Sequence, residues 1–247
     1  MSRRPRDYVE TAIARALGAR RERLRSATAP YSPPTLDEIR GRLERLLAEH
    51  CPSGFVVHDL RPLTGDASKQ HFSFELEESS ERGAPRALVL RTALAESLGT
   101  APNLQREFEI QRAIRGVIAV PDVVCVDPEG AEFGAPALVL ERLPGVTVPP
   151  EAAGKPSGFG SLFPPARRAR LAAAFVENLV RIHAFADSPR AAELESFERP
   201  AEATREATDW VIAWWRRVWE DDALEDHPMV EVAFDWLAEN APVTERI

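Results

Sequence analysis

Apolar positions along this chain follow two rhythms, and the switch between them divides it. Phe72, Phe74 and Leu76 alternate with Ser73, Glu75 and Glu77, the period of two expected of a strand with one face buried. Val56, Val57 and Leu60 predict a strand before it, and Ala87-Leu88-Val89-Leu90-Arg91 a buried strand that ends in a cation. Val123, Val124 and Val126 predict a fourth strand, and Ala137-Leu138-Val139-Leu140 a fifth. Residues 77–86, with Gly83 and Pro85, read as a hairpin connection, and Asp127-Pro128-Glu129-Gly130 as a turn.

Around and after these strands the spacing becomes helical. Val9, Ile13 and Leu17 recur every four residues within residues 1–29, until Pro30-Tyr31-Ser32-Pro33-Pro34 breaks the pattern. Thr35 and Glu38 have capping-box spacing ahead of an apolar face made by Leu36, Ile39, Leu43, Leu46 and Leu47, which ends near His50. Residues 92–102 read as a loop. Residues 103–115 read as a helix with Leu104, Phe108, Gln111 and Ile114 on one side and Glu107 on a neighbouring face. After the Pro- and Gly-rich residues 146–165 only helices are expected. They are 166–186, striped by Leu171, Phe175, Leu179, Ile182 and Phe185; 202–220, with Trp210, Val211, Trp214, Trp215 and Val218; and 229–240, with Val232, Phe234, Trp236 and Leu237. Such stripes read as core.

The expected organisation is therefore a basic helical extension and linker at 1–34, a β-rich unit at 35–145, a linker at 146–165 and a helical unit at 166–247. A net charge of −8 in 247 residues argues against general affinity for nucleic acid. The extension is the exception: eight arginines, Arg3 to Arg25, face only Asp7, Glu10 and Glu22. It reads either as a membrane-surface or nucleic-acid helix or, preferably, as a surface helix packed by its thin apolar stripe, whose positive charge would also let it dock on the protein's own acidic surface. Cys51 and Cys125 lie far apart with neither metal-ligand spacing nor a disulfide framework, which suits free thiols in a cytoplasmic protein. No apolar run approaches the roughly 18 residues of a membrane span, and no signal-peptide core is evident. His50 and His183 read as helix-end or core residues.

One stretch offers chemistry. Thr64-Gly65-Asp66-Ala67-Ser68-Lys69 joins two predicted strands. A small-residue turn there reads as an ordinary hairpin or as a cover of backbone N–H groups and hydroxyls over phosphates. Arg91, ending the next strand, stands near that turn or simply reaches solvent.

With Arg106-Glu107-Phe108, Val120-Pro121, the run from Ala137 to Gly145 and Leu179-Val180-Arg181-Ile182-His183-Ala184, these segments resemble the aminoglycoside-phosphotransferase-like family. Within it they are similar to the kinase-like domain fused to some acyl-CoA dehydrogenases. The resemblance covers about residues 35–247. It implies an α+β, protein-kinase-like fold with an N-terminal antiparallel β lobe, one internal helix and an incomplete helical C-terminal lobe. It implies an ATP- and Mg²⁺-dependent phosphotransferase acting on a small-molecule hydroxyl. The turn (Thr64, Gly65, Asp66, Ala67, Ser68, Lys69) would cover the phosphates. Arg91 would touch them, paired to Glu107. Backbone groups of Glu141 and Leu143 would meet the adenine edge, and Leu140 would line its pocket. Asp66 stands where the family often has a second glycine, and Arg91 where kinases usually have lysine. The family's catalytic loop, a His-Gly-Asp start with an Asn and a metal-binding Asp beyond, has no counterpart here, and residues 237–247 resemble its approach. The resemblance thus predicts a truncated chain with no catalytic or metal-binding residue of its own and very weak transfer or none. The alternative is a non-catalytic nucleotide- or partner-binding module that self-associates through exposed helical surface.

Overall fold

A computed structural model of the chain describes residues 9–26, 32–63, 69–79, 84–93, 104–145 and 163–245. Two helices, α1 (Thr11–Ser26) and α2 (Leu36–Ala48), precede strands β1 (Phe55–Leu63), β2 (Lys69–Glu78) and β3 (Arg86–Ala93). Helix α3 (Leu104–Ile114) comes next, then β4 (Val123–Asp127) and β5 (Ala137–Glu141). Helices α4 (Pro165–Ala186), α5 (Pro189–Ala192), α6 (Glu206–Asp222) and α7 (Pro228–Glu239) complete the order. The strands form one antiparallel sheet in the order β1-β2-β3-β5-β4. The fold is thus α+β, as expected.

Local chemistry explains the first half of the fold. Thr35 caps α2: its hydroxyl accepts from the Glu38 N–H at 3.3 Å, and its own N–H donates to the Glu38 carboxylate at 2.7 Å. Helix α2 lays Ile39, Leu43, Leu46 and Leu47 on the sheet face formed by Val57, Phe72, Phe74, Leu76, Leu88 and Leu90. Most of these side chains are almost completely removed from water, which makes this layer the main source of hydrophobic stabilisation. After β4, the buried Asp127 carboxylate ties the following turn, accepting from the N–H groups of Gly130, Ala131 and Glu132 at 2.8, 2.9 and 2.9 Å.

The opposite sheet face carries His71, Ser73, Val89, Arg91, Leu138 and Leu140, which stand beside one another across the strands. Ser73, expected to face water, is fully buried because this face is covered too, and its hydroxyl accepts from Arg61 Nε at 3.1 Å. Helix α3 lies against β4 and β5. Its C-terminal end packs Ile110, Ala113 and Ile114 against Phe185 and Ala191, joining the β-rich unit to the helices that follow.

Several boundaries differ from expectation for identifiable reasons. Strand β3 runs on through Thr92 and Ala93, expected as loop, because Gln70 and Lys69 of β2 extend the pairing. Helix α6 starts at Glu206, since Glu206 and Thr204 hold residues 201–205 in a turn. The short α5 went unpredicted. The stripe on α4 is not core: Leu171, Phe175, Leu179 and Ile182 are exposed, Phe175 by 69%, and only Phe185 is buried. The C-terminal turn of α4 reaches α3 through Phe185, while the rest of its apolar stripe stays exposed. Val211, Trp215 and Trp236 are likewise exposed, while Val218 is buried.

Gly130 tests the tie at the end of β4. Its φ is +75°, and an added Cβ would lie 2.6 Å from the Ala135 nitrogen. Gly130→Ala is expected to lower unfolding free energy by about 2 kcal/mol or more, read as a lower urea midpoint.

Candidate functional site

Arg91 sits near the end of β3, between His71 of β2 and Leu138 of β5. The alternation that buries Leu88 and Leu90 under α2 turns Arg91 to the other face. Opposite it is the first turn of α3, where Glu107 forms an ion pair with the Arg91 guanidinium. Both side chains are largely withdrawn from water, 15% and 22% exposed. Gln111, one turn further along α3, donates to the same Glu107 carboxylate at 3.1 Å. A pair at this depth must offset the desolvation of both charges, so each partner depends on the other. Arg91 does not reach solvent as an ordinary strand-end arginine would. Its buried Nε has no hydrogen-bond partner among the described residues. An unspent donor on a fixed cation suits an anion such as a phosphate or carboxylate.

The remaining expected site residues fall around this pair. Lys69 opens β2, opposite Ala93 and two residues from His71, the cross-strand neighbour of Arg91. Leu140 lies on the Arg91 face, directly across from Val89. Glu141 ends β5, and its N–H is committed to the Asp122 carbonyl at 2.8 Å. Leu143 follows, half exposed. Arg142 between them donates its N–H to Ala87 at 2.9 Å, which anchors the connector to β3. Thr64, Gly65, Asp66, Ala67 and Ser68 lie outside the described residues. Among the described residues no group of three or more His, Cys, Asp or Glu side chains could hold a metal ion.

Sequence reasoning missed what holds α3. Arg106, the residue before Glu107, donates through both terminal nitrogens to Glu10, at 3.0 and 2.5 Å. Its guanidinium also lies over the Phe197 ring, 4.1 Å from the centroid. Glu109 accepts from the Ser196 N–H and hydroxyl at 3.0 and 2.7 Å, and from Gln105 at 2.8 Å. Burial opposes the charge on Glu109. The hydrogen bonds from Gln105 and Ser196, with the Arg106 charge, outweigh it and hold the carboxyl below its usual range. Arg190 donates to the carbonyls of Arg112 and Arg115 at the C-terminal end of α3. The weak signal for these contacts was an Arg-Glu-x-Glu run on a helix otherwise expected to be amphipathic.

The phosphotransferase enzyme family matches residues 59–247, and the chain belongs to that family. No curated protein matches it. A 2.32 Å crystal structure of a Ralstonia eutropha JMP134 protein, provisionally designated an aminoglycoside phosphotransferase, is similar at 16% identity and a TM-score of 0.47. The match covers 82% of this chain and 54% of that one, so the chain spans about half the length of that protein. No helix among the described residues is long and apolar enough to cross a membrane.

The lowered Glu109 value sets a pH dependence. A carboxyl whose folded-state value is depressed adds stability above the usual carboxylate range, and that stability disappears as pH falls through the lowered value. Glu109→Gln is expected to be less stable than the parent at neutral pH, with the gap closing in acid. Urea unfolding at several pH values measures it.

Proposed function

We propose that this chain supplies the nucleotide-holding part of a kinase-like phosphotransferase that passes the γ-phosphoryl group of ATP to a hydroxyl of a small molecule. The observation that carries the reading is the Arg91–Glu107 pair, a strand-three cation held by a helical glutamate. Kinase-like phosphoryl transfer relies on that type of pair to place the α- and β-phosphates. In the proposed site the turn at 64–69 lies over the phosphates, and the Nε of Arg91 is spent on a phosphate oxygen. Leu140, on the same sheet face, lines the adenine pocket. The carbonyl of Glu141 and the N–H of Leu143 meet the adenine edge.

During transfer the bond between the γ-phosphorus and the β–γ bridging oxygen breaks, and a bond from the acceptor oxygen to phosphorus forms. The acceptor's proton needs a base, and the oxygens need a counter-charge. We assign Arg91 part of the second role and no residue of this chain the first. Family kinases generally use Mg²⁺, and we assign its ligands to no residue here. Residues 35–145 form the small lobe, residues 146–165 the linker, and 166–247 part of the helical lobe.

Calorimetric titration with ADP tests the site. The chain is expected to bind ADP, and Arg91→Ala to weaken it at least tenfold, about 1.4 kcal/mol, while Arg91→Lys keeps most of the affinity. Steady ADP formation from ATP and Mg²⁺ is expected to stay at background with any small-molecule hydroxyl present. Acceptor-dependent turnover would overturn the division of roles.

A second reading, a partner-binding or self-associating module, is favoured by the exposure of Phe175, Val176, Leu179 and Val180 on α4. It predicts a mass by light scattering that rises with concentration. A constant monomer mass contradicts it.

A further inference from the structure

We infer that the amino-terminal segment clamps α3, with Glu10 as a positioning residue that acts through Arg106 on the Arg91–Glu107 pair and so sets the grip on nucleotide. The inference rests on the nucleotide site proposed above.

Arg106 and Glu107 are adjacent on α3 and point to different sides of it. Glu107 reaches the sheet, and Arg106, about 100° further round the helix, reaches Glu10, just ahead of α1. Arg106 and Glu10 are each only 15% exposed, and the fork-to-fork geometry fixes orientation as well as charge. The same side of α3 meets residues 196–198. Phe197 lies under the Arg106 guanidinium, Ser196 bonds Glu109, and Glu198 accepts from the Thr11 N–H at 2.7 Å. Glu10, Thr11, Ser196, Phe197 and Glu198 thus form one bracket on the side of α3 that carries Arg106 and Glu109.

The bracket's own seat is modest. Helix α1 buries Ile13 and Leu17. Between it and α6 remains a cavity of about 260 Å³ lined by Val9, Ile13, Trp210 and Trp214. An incompletely filled interface forfeits contacts and opens at lower cost than a core layer. Loss of Glu10 leaves a desolvated Arg106 charge without its carboxylate, which drives that side of α3 toward water. Glu107 moves with it, away from Arg91.

The test is a double-mutant cycle on the full chain, with ADP affinity and thermal midpoint both measured for Glu10→Gln, Glu107→Gln and the pair. Glu10→Gln is expected to weaken ADP about five- to tenfold, within the usual range of coupling between sites. In the Glu107→Gln background the same change is expected to alter ADP affinity less than twofold, while still lowering the midpoint. Arg106→Lys, which keeps the charge and loses the fork, is a second variant expected to show the same coupled loss should Glu10→Gln fold poorly. Equal loss of affinity in both backgrounds, or none in either, overturns the clamp and leaves the nucleotide site standing. An unsubstituted chain that binds no ADP overturns the site itself, and the clamp with it.

Discussion

Burying the charge of Arg91 is the constraint on which the rest of this structure turns. A guanidinium on the inner reaches of a sheet is costly unless a carboxylate meets it. Glu107 is the partner, and it serves only while α3 stays against β4 and β5. The position of α3 is therefore no free detail of packing. It is secured below by the apolar contact of Ile114 with Phe185, at its C-terminal end by Arg190, and on its outer side by Glu10 and Ser196. The ties come from both sides of the 146–165 stretch.

The two faces of the sheet divide the labour. Under α2 the face is aliphatic and aromatic and supplies stability. On the other face the alternation places Ser73, Arg91 and Leu140 together, a mixture of polar and apolar groups that suits a ligand with a charged end and a flat apolar end. Membership of the phosphotransferase enzyme family accords with that arrangement. It gives a reason for a cation on β3 that stability alone would not favour.

What was legible in the sequence was mostly local. The capping box spans three residues, and Thr35 and Glu38 close it as their spacing implies. The alternation in β2 and the apolar run in β3 were enough to place both strands, and the family resemblance singled out Arg91 and Glu107. Contacts between distant segments were not legible. Glu10 and Arg106 are 96 residues apart, and Glu109 and Ser196 are 87 apart, so no periodicity records them. Ser73 misled because alternation marks the polar face without saying whether that face is wet. The stripe on α4 misled for the complementary reason: helical spacing shows which side is apolar, not what covers it.

The most direct measurement of the central claim is amide hydrogen exchange with and without ADP, read peptide by peptide. Exchange reports which backbone groups a ligand shields or stabilises. The account predicts slower exchange across the end of β1 and the start of β2, around Arg91, and at residues 141–143, with α7 unchanged. No difference on adding ADP, or protection confined to α4–α7, would contradict it.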